Sequence, residues 1–206
     1  MRSVFAALAS VSVTALMLAS APASATEAGT WEVRLRAVTV QPDVGSNVNI
    51  GGKLSITDSV IPEADISYYF TKHWAVEVIA GTTKHSIYHN AAGKLATVYL
   101  LPPTVTVQYH FDKIGFFEPY VGAGPNMTIF YDRSNGPLGK LRTTDNWGFA
   151  LQFGTDVPLT EDGRYVWNFD VKKLWLSTNA SFSGAPVTAK VDINPWLIGT
   201  GVGIKF

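Results

Sequence analysis

No cysteine occurs among the 206 residues, which excludes a disulfide framework, a thiolate nucleophile and any Cys-based metal site. Charge is scarce as well: charged residues make up 16% of the chain, where a soluble domain carries about a quarter. The sixteen Lys and Arg are matched by sixteen Asp and Glu, and that balance argues against nucleic-acid binding, which needs a basic surface. Beyond the N-terminal segment no uncharged apolar run approaches the ~20 residues of a membrane-spanning helix. What the chain does have is hydrophobic residues at 47% and aromatics at 12%. Its mean hydropathy of +0.13 is high for a soluble protein and low for a helical membrane protein. That middle value suits a sheet in which only alternate residues face lipid. Neither a linker nor an internal repeat interrupts the chain, so one domain is expected.

The N-terminal segment has the parts of an export signal. Met1-Arg2 gives a positive start, Val4 to Leu18 is apolar, and Ala23-Ser24-Ala25 fits a small-x-small cleavage site. Residues 1–25 are therefore read as a cleaved signal peptide and 26–206 as the mature domain, starting at Thr26. A membrane-anchoring helix is the competing reading, but the apolar run is too short for it.

Period-two alternation dominates the rest. Trp147, Phe149, Leu151, Phe153 and Thr155 alternate with Gly148, Ala150, Gln152 and Gly154, which puts the two sets on opposite faces of a strand. Val105, Val107, Tyr109 and Phe111 likewise oppose Thr104, Thr106, Gln108 and His110 in a strand over 101–111, and Trp31, Val33, Leu35 and Ala37 oppose Glu32, Arg34 and Arg36. Further strands are expected over 63–70, 74–83, 118–131, 165–176 and 191–206. That makes eight, most near the ~9–11 residues of a tilted membrane strand. The expected fold is all-β: an eight-stranded antiparallel transmembrane barrel with its aromatic-rich face in lipid and no unpaired edge. A soluble sandwich would share the alternation. The export signal, the low charge and the aromatic end Ile204-Lys205-Phe206 favour the membrane.

Short connections (71–73, 112–117 and 158–163) alternate with long ones (41–62, 84–97, 132–146 and 177–190). Outer-membrane barrels have short periplasmic turns and longer external loops, so both termini are expected in the periplasm. Trp31, Phe70, Trp74, Phe111, Phe117, Tyr165, Trp167 and Phe206 fall near periplasmic strand ends, and Tyr131 and Trp147 near external ones, as an interfacial belt requires. Trp175 breaks this order, because keeping it in phase with Trp167 and Phe169 exposes Lys173 to lipid. Either a bulge near Lys172-Lys173 or a strand rising above the bilayer would account for it.

Several stretches, taken in order, resemble the OmpW family of outer-membrane proteins. They are Trp31-Glu32-Val33-Arg34-Leu35-Arg36, Leu101-Pro102-Pro103-Thr104 leading to Gln108-Tyr109-His110-Phe111, and Pro119-Tyr120-Val121-Gly122-Ala123-Gly124. Gly148-Phe149-Ala150-Leu151-Gln152, Asp170-Val171-Lys172-Lys173 and Ile193-Asn194-Pro195-Trp196 running to Phe206 complete the set. The resemblance implies a monomeric barrel with a narrow, largely apolar channel for passive uptake of small hydrophobic or amphipathic molecules. It also implies that the terminal aromatic, Phe206, is read by the barrel-insertion machinery, and that some members serve as phage or bacteriocin receptors.

Glu32, Arg34, Arg36, Glu77, Gln108, His110, Gln152, Asp170 and Lys172 take the polar phase and are the expected lumen-lining residues. Either they select a permeant or they fill the narrow interior as salt bridges, since buried charges need partners and eight strands leave an interior that side chains nearly fill. Balanced charge there argues against strong ion selectivity. A plugged lower barrel with apolar loops above it implies entry from outside and a sideways exit, for which Pro125, unable to donate to the ladder, is the candidate. His85 and His89 are spaced for a metal on a helix but are expected as solvated loop residues. Ser86, His85 and Asp132 form only a compositional trio, and Gly122-x-Gly124 and Gly199, Gly201 and Gly203 read as close-packing positions. No catalytic, metal or cofactor site is expected. The alternative function is a structural or adhesive barrel whose loops bind host, phage or bacteriocin.

Overall fold

From Trp31 to Gln41 side chains alternate between exposed and buried, and the same rhythm runs through most of the chain in the computed structural model, which describes residues 27–206. The export segment and its cleavage point lie outside the described residues. The strands are β1 (Trp31–Gln41), β2 (Gly45–Val48), β3 (Leu54–Ile56), β4 (Ser59–Tyr69), β5 (Trp74–Gly81), β6 (Thr83–His89), β7 (Gly93–Leu101) and β8 (Thr104–His110). They continue with β9 (Glu118–Arg133), β10 (Asn135–Gly136), β11 (Gly139–Thr143), β12 (Asn146–Pro158), β13 (Tyr165–Trp175), β14 (Ser177–Phe182), β15 (Thr188–Asp192) and β16 (Trp196–Lys205).

Eight of these, in the order β1-β4-β5-β8-β9-β12-β13-β16, pair antiparallel, and β16 returns to β1. Closure satisfies every strand edge, the condition for a sheet to sit in hydrocarbon. The register places Arg36 opposite Gly201 and Arg34 opposite Gly203 on β16. Two glycines there leave room inside the wall for two arginine stems.

The long connections are largely strand rather than loop. β2, β3, β6, β7, β11, β14 and β15 carry the wall upward as two sheets, β9-β7-β6-β3 and β10-β11-β14-β15-β2. Alternation persists through this upper tier, but its polarity reverses. On β1 the inward series runs Glu32, Arg34, Arg36 and then Val38 and Val40, while the outward series passes from Trp31, Val33 and Leu35 to Thr39 and Gln41. On β13 and β14 the inward series runs Asp170, Lys172, Leu174, Leu176. Polar outward residues suggest loops to a reader of the sequence, although the pleat has not stopped.

Three expected strands are interrupted, that over 74–83 only at Thr82, between β5 and β6. The 101–111 strand breaks at Pro102-Pro103, which offer no N–H to a ladder, so Leu101 ends β7 and Thr104 starts β8. The 191–206 strand breaks at 193–195, where Asn194 has φ of 34°, a left-handed conformation that Asn tolerates better than most residues. Trp175 needs no bulge, since the β12–β13 register is continuous from Phe149↔Trp175 to Pro158↔Val166. Lys173 points outward near the top of this tier, its Nζ donating to Asn194 O at 2.6 Å and lying 4.8 Å from the Trp196 ring. The apolar stem crosses the wall and the ammonium reaches polar partners.

Candidate functional site: a charged plug beneath an apolar chamber

Arg34 and Arg36 are buried side by side inside the lower tier. Arg34 pairs with Glu32 (2.7 Å), Asp156 (2.9 Å) and Asp65 (3.3 Å). Arg36 pairs with Asp65 (2.7 Å), Glu77 (3.1 Å) and Glu63 (3.2 Å). Lys172 bridges Glu63 (2.7 Å) and Asp170 (2.9 Å). The neutral polar residues tie this set together: Gln108 Nε2 donates to Glu77 at 2.8 Å, Gln152 Nε2 to Asp170 at 2.7 Å, and His110 Nε2 lies 3.0 Å from Gln108 Oε1. The nine polar-phase residues singled out in the sequence therefore meet in one buried network. It fills the barrel cross-section, because charges removed from water persist only when paired and hydrogen-bonded.

The network is larger and richer in carboxyl groups than the sequence suggests. Glu63, Asp65, Asp156 and Lys205 are buried with it, as are Tyr69 and Tyr120, whose hydroxyls donate to Glu32 (2.7 Å) and Asp170 (3.0 Å). Carboxyl groups outnumber basic groups in it: Glu32, Glu63, Asp65, Glu77, Asp156 and Asp170 stand against Arg34, Arg36, Lys172 and Lys205. Phase would have found Glu63 and Asp65, which alternate with Ala64 and Ile66. Asp156 sits at a strand end that the sequence leaves undefined.

Above the plug lies a narrow apolar chamber. Glu63 and Lys172 form its floor, and its walls include Val40, Ile61, Val98, Phe130, Leu174 and Leu197. Its few polar handles are hydroxyls and one imidazole. His85 Nδ1 lies 2.6 Å from Thr57 O and Nε2 2.7 Å from Thr83 Oγ1, and burial pushes the imidazole below its ordinary value of 6.5. His85 and His89 are buried on β6, not solvated in a loop. His89 bonds backbone at Gly51 and Ala91. No group of three side chains suited to a metal occurs among the described residues.

One side of the chamber meets an irregular stretch of the wall, where β8 and β9 stay in close backbone contact at Gly124 and Val105 but their ladder is interrupted. Pro125 faces outward on β9 opposite Phe149 of β12. Toward β8 the ladder steps from Thr104↔Asn126 to Val107↔Ala123, with no pair between them among the described residues. Pro102 and Thr104, beside this unpaired stretch, also line the chamber. Asn126 spans the stretch from inside: its Nδ2 donates to Thr104 Oγ1 (2.7 Å), Pro102 O (3.2 Å) and Pro103 O (3.3 Å). At the other end of the barrel Phe206 is exposed and exchanges backbone hydrogen bonds with Trp31, each 2.9 Å.

An exposed apolar belt outside, a paired polar core inside and a closed antiparallel wall define an outer-membrane β-barrel. The OmpW family model matches residues 27–206, and the chain belongs to that family. Outer membrane protein W of Escherichia coli is 34% identical over 97% of this chain and 98% of its own. A dibenzothiophene metabolism operon protein of Pseudomonas aeruginosa is 28% identical over 87% of this chain and 90% of its own. The crystal structure of the outer membrane protein OprG from Pseudomonas aeruginosa superposes with a TM-score of 0.77 at 26% identity, covering 87% of this chain and 97% of that one.

Proposed function

We propose that this barrel is a passive conduit for small apolar or amphipathic molecules, entering from outside and leaving sideways into the membrane above the plug. The observation that carries this reading is the polarity reversal, which builds an apolar chamber directly over a sealed charged floor. A solute held there cannot continue down the axis without opening buried ion pairs. An apolar solute gains by moving sideways into hydrocarbon, whereas a polar one loses. The unpaired stretch beside Pro125 adjoins the chamber and needs few ladder bonds broken to part, and a relative named for dibenzothiophene metabolism is consistent with an apolar cargo. The short turns 70–73, 111–117 and 159–164 share one end with Phe206. On the general pattern of short periplasmic turns, that end and both termini lie in the periplasm. In this reading the barrel works as a monomer delivered by the insertion machinery, without catalysis.

Uptake of a panel of small hydrophobic compounds, compared between deletion cells and cells complemented with parent or Pro125→Val, tests it. Valine restores a ladder N–H, so uptake should fall while barrel stability holds. Unchanged uptake with the variant correctly inserted would dispose of exit at Pro125, and equal uptake with and without the parent would dispose of the conduit.

A further inference from the structure

Zero net charge conceals a division along the barrel axis. The plug holds more carboxyl than basic groups, whereas the upper tier sets Lys53, Lys84, Lys94, Arg133, Lys140, Arg142, Lys173 and Lys190 against Asp43, Asp58, Asp132, Asp145 and Asp192, and of these bases only Lys173 makes an ion pair among the described residues. At the opposite end Lys72 and Lys113 are each paired, with Asp112 and Glu118. In the upper tier Lys173 alone has a carboxylate partner, Asp43.

Two of the unpaired cations are built into a sheet face. The outer surface of β11-β14-β15-β2 forms a shallow hollow of about 890 Å³, open to solvent and lined by Asn47, Asn49, Arg142, Asn179, Ser181 and Lys190. The ladder puts Lys190 between Asn179 on one side and Asn47 on the other, and it sets Arg142 opposite Ser181. The Arg142 and Lys190 strands are separated by β14, so the two cations stand on the order of 10 Å apart at the usual strand spacing. The side chains of Asn47, Asn179, Arg142 and Lys190 make no hydrogen bond within the described chain. Apolar side chains on these strands, such as Leu141, Phe182 and Val191, point into the chamber, so the outward face is purely polar.

Its height matters. Trp147, Trp175 and Trp196 are exposed at the top of the lipid-facing belt, and Arg142, Asn179 and Lys190 lie four to six residues from them in sequence, on the upper-tier strands that continue β12, β13 and β16. At ~3.3 Å per residue, less the tilt, the hollow sits on the order of 10 Å above the belt, within the headgroup layer of the leaflet around it.

We propose that this face binds the phosphorylated sugar headgroups of outer-leaflet lipopolysaccharide. Arg142 and Lys190 would pair with phosphates, and the Asn amides with sugar hydroxyls. Guanidinium and ammonium groups both form charge-assisted bonds to phosphate, and free amides supply the donor and acceptor that a hydroxyl needs. Such a contact would hold the upper tier upright in the leaflet and leave the chamber mouth free. The proposal rests on the sidedness given under Proposed function.

The test is binding of purified full barrel in detergent to lipopolysaccharide and to the same lipid after phosphatase treatment. The parent is compared with the double variant Arg142→Gln/Lys190→Gln, and Lys113→Gln at the opposite end serves as control. The parent should prefer the phosphorylated lipid. The double variant should bind it about thirtyfold more weakly, on the usual contribution of two basic residues near an anionic surface, and added salt should narrow the difference. Equal binding by parent and double variant, or equal binding of both lipids by the parent, overturns the proposal. Sidedness is read separately, because the chain has no cysteine: a membrane-impermeant thiol reagent should label Ala91→Cys but not Glu161→Cys in intact cells. The reverse pattern overturns the sidedness and with it the outer-leaflet partner, whatever the binding measured in detergent.

Discussion

The imidazole of His85 has both nitrogens committed, one to a carbonyl and one to a hydroxyl. The carbonyl of Thr57 can only accept, so Nδ1 carries the proton and Nε2 accepts from Thr83 in the neutral ring. Burial disfavours the charged form and holds its pKa below 6.5, although the Thr57 carbonyl and nearby Asp58 oppose this. Below about pH 6.5 the unfolded segment therefore binds a proton that the folded one resists. Stability is complete above that pH and declines as pH falls toward the folded pKa, by at most ~1.4 kcal/mol per pH unit. Amide exchange in β6 and β7 should accelerate as pH falls below about 6.5, and His85→Gln should abolish that acceleration. An equally steep response in His85→Gln would place the acid sensitivity elsewhere.

Within one strand, the side of the pleat and the height along the barrel jointly decide what a residue tolerates. Phe153 is outward and exposed, midway along β12 between Phe149, which pairs with Trp175, and Val157, which pairs with Trp167. Phe153→Arg should cost roughly 2–4 kcal/mol, as for a charge on the lipid face near the midplane. Asn179→Arg, outward on β14, should be close to neutral. For inward positions the order reverses, because Leu141→Arg would bury an unpaired guanidinium in the apolar tier. Folding yield and urea midpoint in detergent or lipid report all three. If Asn179→Arg is as damaging as Phe153→Arg, the boundary between tiers is misplaced. This rule also explains what the sequence hides. The lower strands and nine plug residues were legible because a polar face opposite an aromatic face is unusual for a buried side. Above Arg36 and Lys172 the same phase continues with Val38, Val40, Leu174 and Leu176, but small polar residues outside and prolines at 102, 103 and 195 imitate loops. The chamber therefore could not be read from composition. The Asn126 clasp could not be read either, since an isolated Asn in a strand carries no local signal of the carbonyls it reaches.

At the scale of the whole barrel, the proposed conduit keeps two paths apart: ions along the axis, through the plug, and apolar solutes sideways above it. The parent in planar bilayers should accordingly show little steady conductance, despite an interior of eight strands. Arg36 holds Asp65, Glu77 and Glu63 together. Arg36→Met should therefore loosen the floor, at a cost on the order of 3–5 kcal/mol for breaking a buried network. The freed carboxylates add to an interior already richer in carboxyl than in basic groups, so the leak that appears should favour cations over anions. Apolar uptake in the correctly inserted variant should stay at the parent level, because the proposed route does not cross the floor. The two readouts divide the possibilities cleanly. Raised conductance with unchanged uptake is the expected pair, whereas uptake rising in step with conductance would show that solutes pass through the plug. In that event the unpaired stretch beside Pro125 would be only a tolerated irregularity of the wall, and the charged network itself would be the gate.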